Sequence, residues 1–259
     1  MERLTSSPYV LDIYGYCGQS TISELAFEGK GIDNLYRLST ALKGVDTPYV
    51  LQTKLQIAAM ISLGLSHIHS VAADDDNGQD QATIAHYDVN PRNVIITPAG
   101  IPKFNDFNIA EFLTWNPETK QQCGFVPRFH DPWWRAPEEM FPFDNSTVDE
   151  KVDVYSLGNT LFVLLTGMEP RGKEHKKQRL KNVSNVVASG EYPSFPDEYS
   201  NSTDPSIKAI RRGIMLCYEP DPNMRPSSME IAKGLFAALN DLKETANGQD
   251  AMKVKLHSS

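Results

Sequence analysis

Three side chains in one short stretch could do chemistry together: Asp88, Asn93 and Asp106. Asp88 ends His86-Tyr87-Asp88, Asn93 follows five positions later, and Asp106 opens Asp106-Phe107-Asn108. Between them, residues 94–97 (VIIT) make a short apolar run rich in β-branched residues. Residues 98–100 (PAG) make a turn, and 101–104 (IPKF) a second strand. A hairpin brings its two ends side by side, so this spacing predicts that the three side chains converge. A carboxylate can orient a hydroxyl and accept its proton. Hard oxygen donors beside it can hold magnesium against phosphates. Together they suit phosphoryl transfer.

The elements that must position these residues are legible in outline. Residues 9–16 (YVLDIYGY) and 21–25 read as strands, and 27–31 as a connector. Residues 34–42 read as a short helix. Residues 51–69 read as a longer one, because Leu51, Leu55, Ala58, Ile61, Leu65 and Ile68 recur three and four apart. His67 and His69 are two apart, do not share a helix face, and read as structural. Residues 72–81 (AADDDNGQDQ) are polar and acidic. With Gly78 as the sixth position of a calcium loop, Ala73 and Ile84 would fall where oxygen donors belong, so the segment reads as a solvated loop. Residues 152–166 are apolar nearly all round and predict a buried central helix. Residues 207–217 and 228–242 read as closing helices, capped by Asp204 and by Ser227 or Ser228. Residues 243–259 lack apolar periodicity and read as a flexible tail.

Composition excludes some classes. The chain has 259 residues, 40% hydrophobic and 22% charged, which is globular composition. A net charge of −8 argues against a nucleic-acid surface. Cys17, Cys123 and Cys217 show no metal-ligand spacing and suit free thiols in a reducing compartment. No apolar run reaches the length of a membrane span, and the first ten residues lack a signal-peptide core. Three Asn-X-Ser/Thr triplets, at Asn145, Asn182 and Asn201, are too common a pattern to imply secretion. The expected location is cytoplasmic.

Five ordered motifs then carry a resemblance. They are His86–Asn93, Asp106-Phe107-Asn108, Ala136-Pro137-Glu138, the 153–158 stretch DVYSLG, and the 221–226 stretch DPNMRP. Together they resemble the eukaryotic protein kinase family. The resemblance implies an α+β, protein kinase-like fold: a mainly helical large lobe with a partial β small lobe at 1–26, the domain closing near 242. It implies ATP and Mg2+ as cofactors and a protein as substrate. Asp88 becomes the base, and Asn93 and Asp106 the magnesium ligands. Ser23, Glu24, Ala26 and Ile95 line the nucleotide site, with Ser23 as gatekeeper and the backbone of Glu24 and Ala26 offered to adenine. His86 and Phe107 would stack with Ile13. Glu138 would pair with Arg225, and Asp153 would cap the catalytic-loop backbone, although an Asp at a helix start also suits an N-cap. No glycine-rich loop, no V-A-I-K-like strand and no helix with its partner Glu is found. The chain thus reads as an N-terminally incomplete catalytic domain.

Departures from the family pattern matter. Tyr87 replaces the Arg that holds a phosphorylated activation loop. Asn90 replaces the Lys two places after the catalytic Asp. Arg92 stands where tyrosine kinases carry an Arg, and is expected to restore the missing charge. Asn108 replaces a Gly that permits positive φ, which Asn tolerates. Arg92 and Trp134 lean to the tyrosine-kinase-like branch, and Asp131 stands where Ser/Thr kinases carry a Thr. Three functions compete. The first is an ATP-dependent protein kinase. The second is a pseudokinase scaffold, favoured by the absent Lys strand with Tyr87, Asn90 and Asn108. The third is a small-molecule phosphotransferase, opposed by the Glu138, Asp153 and Arg225 motifs.

Overall fold

Residues 152–166 place almost no polar side chain where water could reach it, so they must be buried as a helix. In the computed structural model they form α3 (Lys151–Thr166), with Val152 to Thr166 all buried. Its few polar groups are satisfied inside the protein. Ser156 Oγ donates to Trp134 O at 2.7 Å, and Asn159 Nδ2 to the same oxygen at 3.1 Å. The helix stops at Gly167, whose φ of 66° is the left-handed conformation favoured at a helix end. A Cβ at Gly167 would also lie 2.7 Å from Lys43 Cβ.

The structure describes residues 4–17, 20–25, 32–71, 81–128, 132–140, 146–172 and 177–257. Around α3 stand α1 (Leu35–Ala41), α2 (Pro48–His69), α4 (Lys177–Ala188), α5 (Asp197–Ser200), α6 (Pro205–Cys217) and α7 (Ser228–His257). Side chains cap the starts of α1, α2, α6 and α7. Asn34 and Thr47 cap α1 and α2 through their side chains. Asp204 caps α6 by accepting from Ser206 and Ile207 N–H. Ser227 and Glu230 exchange bonds across the first turn of α7, forming a capping box. Helix α6 crosses α3 closely at Gly158, where a Cβ would meet Cys217 Cβ at 2.8 Å. Helix α7 runs on to His257, past the end expected near 242. Its last stretch, 243–257, carries three Lys and two Ala, which favour helix without needing an apolar stripe. No described helix is long and apolar enough to cross a membrane.

The strands form three two-stranded antiparallel pairs: β1 (Ile13–Cys17) with β2 (Ser20–Ser23), β3 (Ile84–Ala85) with β6 (Glu111–Phe112), and β4 (Val94–Ile96) with β5 (Pro102–Phe104). The expected hairpin is therefore present, with Val94 opposite Phe104. The single strand expected over 9–16 is split. Tyr9 and Leu11 exchange backbone bonds with Phe104, while β1 begins only at Ile13 and pairs with β2. The free edge of β5 competes for the first half and wins. The acidic stretch at 72–80 and Ala26 lie outside the described residues.

Far from the hairpin, Arg225 and Glu138 clamp the base of the fold. Arg225 Nη1 donates to Glu138 Oε1 at 2.7 Å and Nη2 to Oε2 at 3.3 Å. Arg225 also donates to Lys151 O and Glu219 O, with its side chain fully buried. Breaking such a pair strands the remaining charge. Arg225→Met should therefore cost about 3–5 kcal/mol in urea unfolding, whereas an exposed pair would lose under about 1 kcal/mol.

Candidate active site

The loop from His86 to Asn93 hangs from one buried carboxylate. Asp153, on α3, accepts His86 N–H at 2.6 Å on Oδ2 and Tyr87 N–H at 2.8 Å on Oδ1. His69 Nε2 lies 3.1 Å from the same Oδ2, and Ser228 Oγ lies 3.1 Å from His69 Nδ1. The N-cap position of α3 is Glu150, so Asp153 serves the loop rather than its own helix end. The grip falls where Tyr87 takes a φ of 61°, a conformation uncommon outside Gly.

From that anchor the Asn93 and Asp88 side chains meet, and the backbone carries Asp106 to the same loop. Asn93 Nδ2 donates to Asp88 Oδ2 at 2.7 Å and to Asp88 O at 3.0 Å. Asn105 N–H donates to Asn93 O at 2.9 Å, which brings Asp106 beside the same loop. His86 Nε2 donates to Asn105 O, and Asp88 N–H donates to His86 Nδ1. Burial pulls the His86 pKa below its ordinary value, against the upward pull of Asp153, Asp88 and Asp106. A neutral imidazole fits that bonding. Its ring lies 4.7 Å from Phe107 and 5.6 Å from Phe104. Phe104 thus takes part in the stack, while Ile13 lies in β1 opposite Ser23. Positive φ falls on Asp106, at 64°, so the tolerance of Asn108 for that conformation is not drawn on. An Asp tolerates that conformation because its short polar side chain bonds locally. With its amide nitrogen spent on Asp88, Asn93 has an oxygen to offer. That oxygen and the Asp106 carboxylate form a hard donor set of the kind magnesium takes.

The cations are arranged differently from expectation. Asn90 folds back on the loop, donating to Asp88 O and accepting from Arg92 N–H. Arg92, expected to restore the missing charge, has its guanidinium 4.3 Å over the Tyr36 ring and 3.4 Å from Glu169 Oε1, which also accepts from Tyr36. The competing carboxylate and ring hold it there. Among the described residues, the cation facing Asp88 is Arg135, with Nη2 3.7 Å from Oδ1. Arg135 also pairs with buried Glu139 at 3.3 Å. Tyr87 ties the loop to the following segment, since its hydroxyl accepts Arg128 N–H at 2.8 Å and donates to Arg128 O at 3.1 Å. Arg128 is in turn paired with Glu111.

On the opposite side of the hairpin, Ser23 pairs with Ile13, and Glu24 N–H donates to Asp12 O. Ile95 is buried and pairs with Lys103. Lys103 Nζ reaches Glu24 at 2.5 Å and Asp12 at 3.5 Å, tying the hairpin to β1 and the strand end after β2. Ala26 and Asp131 lie outside the described residues.

The description "Protein kinase domain" matches residues 1–237 of this sequence. The chain belongs to the protein kinase family. It is 29% identical over 202 residues to putative serine/threonine-protein kinase A of Trypanosoma brucei brucei, covering 74% of this chain and 40% of that protein. It is 27% identical over 154 residues to mitogen-activated protein kinase kinase kinase 19 of Homo sapiens, covering 59% and 11%. Over 231 residues it is 25% identical to dual specificity protein kinase shkB of Dictyostelium discoideum, covering 88% and 31%. The chain thus spans less than half the length of each of these kinases.

Sequence reasoning missed Arg135, Glu139, Lys103 and the Tyr36–Glu169 pair. One signal was available: Arg135 lies three and four positions before Glu138 and Glu139, carboxylates close enough in sequence to partner a buried cation. Burial pushes the Glu139 carboxyl up to about 7, against the pull of Arg135. Its folded state therefore holds a proton more tightly than the unfolded chain. That contribution is full below about pH 4.5 and is lost as pH rises towards 7. Glu139→Gln should remove this loss, making the variant gain on wild type by about 1–3 kcal/mol between pH 5 and 8 in chemical unfolding.

Proposed function

We propose that this chain is the catalytic part of an ATP-dependent protein kinase that moves the γ-phosphoryl group of Mg-ATP to a hydroxyl of a protein substrate. The observation that carries the reading is the meeting of Asp88, Asn93 and the Asp106 turn on one buried frame. In this reading Asp88 orients the acceptor hydroxyl and takes its proton. Asn93 holds Asp88 in place through one amide nitrogen. Asn93 and Asp106 would hold magnesium, which supplies charge neutralisation at the phosphates when bound. Ser23, the backbone of Glu24 and Ala26, and Ile95 would receive the adenine end. The acceptor is a Ser, Thr or Tyr hydroxyl; kinship with serine/threonine and dual-specificity kinases supports protein substrates as a class.

A second reading, a pseudokinase that binds but does not transfer, is favoured by one observation. Asn90 offers no charge, and its amide is spent on the loop backbone. Two variants separate the readings. Asp88→Asn should leave the fold and nucleotide binding in place while lowering phosphorylation of a generic acceptor protein by about two to four orders of magnitude. Asp106→Asn should remove the magnesium-dependent part of the thermal stabilisation by ATP. Normal magnesium-dependent ATP binding with no transfer by the unsubstituted chain would establish the pseudokinase instead.

A further inference from the structure

Asn90 leaves the loop without the cation that the family pattern supplies, and two arginines could replace it. Arg92 is next to Asn93 in sequence, but its side chain is half exposed and is held by Tyr36 and Glu169. Arg135 comes from 43 positions further on, and its side chain is only 7% exposed. Three contacts fix its fork. Nη1 donates to Tyr87 O at 2.5 Å, the same nitrogen lies 3.3 Å from Glu139 Oε1, and the guanidinium carbon sits 4.6 Å over the Tyr87 ring. Those contacts leave Nη2 aimed at Asp88 Oδ1 at 3.7 Å, while Oδ2 is held by Asn93. At 3.7 Å this is an ion pair and not a hydrogen bond. Burial makes a fixed charge at that range count for more than it would in water.

We infer that Arg135 is the positioning residue for Asp88. It grips the peptide between Tyr87 and Asp88 by its carbonyl and faces one carboxylate oxygen with a fixed positive charge. The orientation of Asp88 is thus set from two sides, by Asn93 and by a cation borrowed from the segment before Ala136. Its catalytic meaning rests on the phosphotransfer reading; its geometry does not.

The test uses the whole chain labelled with 13C-carboxyl aspartate, the Asp88 signal being the one lost in Asp88→Asn. Removing Arg135 alone would strand Glu139 in the interior, so the comparison is Arg135→Gln/Glu139→Gln against Glu139→Gln. The Asp88 signal should move on loss of Arg135 and should stay in place in Arg92→Gln. A signal unmoved by loss of Arg135, or moved as far by Arg92→Gln, overturns the inference. In parallel, loss of Arg135 should lower kcat about 10- to 100-fold with KM for Mg-ATP unchanged, and Arg135→Lys in the native background should recover part of it. An unchanged kcat also overturns it. Absence of transfer by the unsubstituted chain counts against the kinase reading alone, because the carboxyl signal still decides the positioning.

Discussion

The buried carboxylate of Asp153 is the constraint from which the site follows. A charge at 1% exposure is tolerable only when its oxygens are occupied, and here they are, by two loop amides and an imidazole. The energetic need of the carboxylate becomes a geometric instruction to the loop. The backbone must present His86 and Tyr87 N–H groups to α3, which turns Tyr87 into left-handed space and points Asp88 the other way. Helix α3 can bear this role because it is buried along its length and does not fray.

A second layer of constraint lies in how charge is shared. Arg225 serves Glu138, Arg135 serves Glu139, and both carboxylates sit in one short 3-10 turn, Pro137–Met140. Adjacent acidic residues so placed would repel each other without separate cations. Arg225 comes from the segment before α7, and Arg135 from the residue before the Ala136-Pro137 step. The turn is therefore fastened to the base of the fold on one side and to the loop carrying Asp88 on the other.

Much of this was legible in the residues. The hairpin between Asn93 and Asp106 announced itself through β-branched runs around a Pro-Ala-Gly turn. Helix α3 did so through the absence of any polar face, and the Arg225–Glu138 pair through motif context. What was not legible depends on distance in space. Local preference showed only that Asn108 tolerates positive φ, and nothing local showed that the fold would require it at Asp106. The family pattern pointed to Arg92 as the replacement for the missing Lys charge, but no local pattern showed that Tyr36 and Glu169 would hold its guanidinium. The strand expected over 9–16 broke because the open edge of β5 offered bonds that no local pattern encodes. The helical end of α7 carries no apolar stripe, so periodicity could not find it.

The tie between Tyr87 and Arg128 has a consequence for how the chain responds to its solvent. It consists of two hydrogen bonds between neutral groups, a phenol and a peptide, each worth about 1 kcal/mol. Burial pushes the Tyr87 phenol up to about 12, so it stays uncharged across the physiological range. Counter-ions screen charges and leave neutral dipoles nearly untouched. An Arg–phosphate clamp in this place would slacken as salt is added and vanish when the phosphate is removed. Here only the outer link, Arg128 to Glu111, has that sensitivity among the ties named for Arg128. The inner link is written into the covalent sequence, so the hold of Tyr87 on the backbone at Arg128 needs neither low salt nor a phosphate.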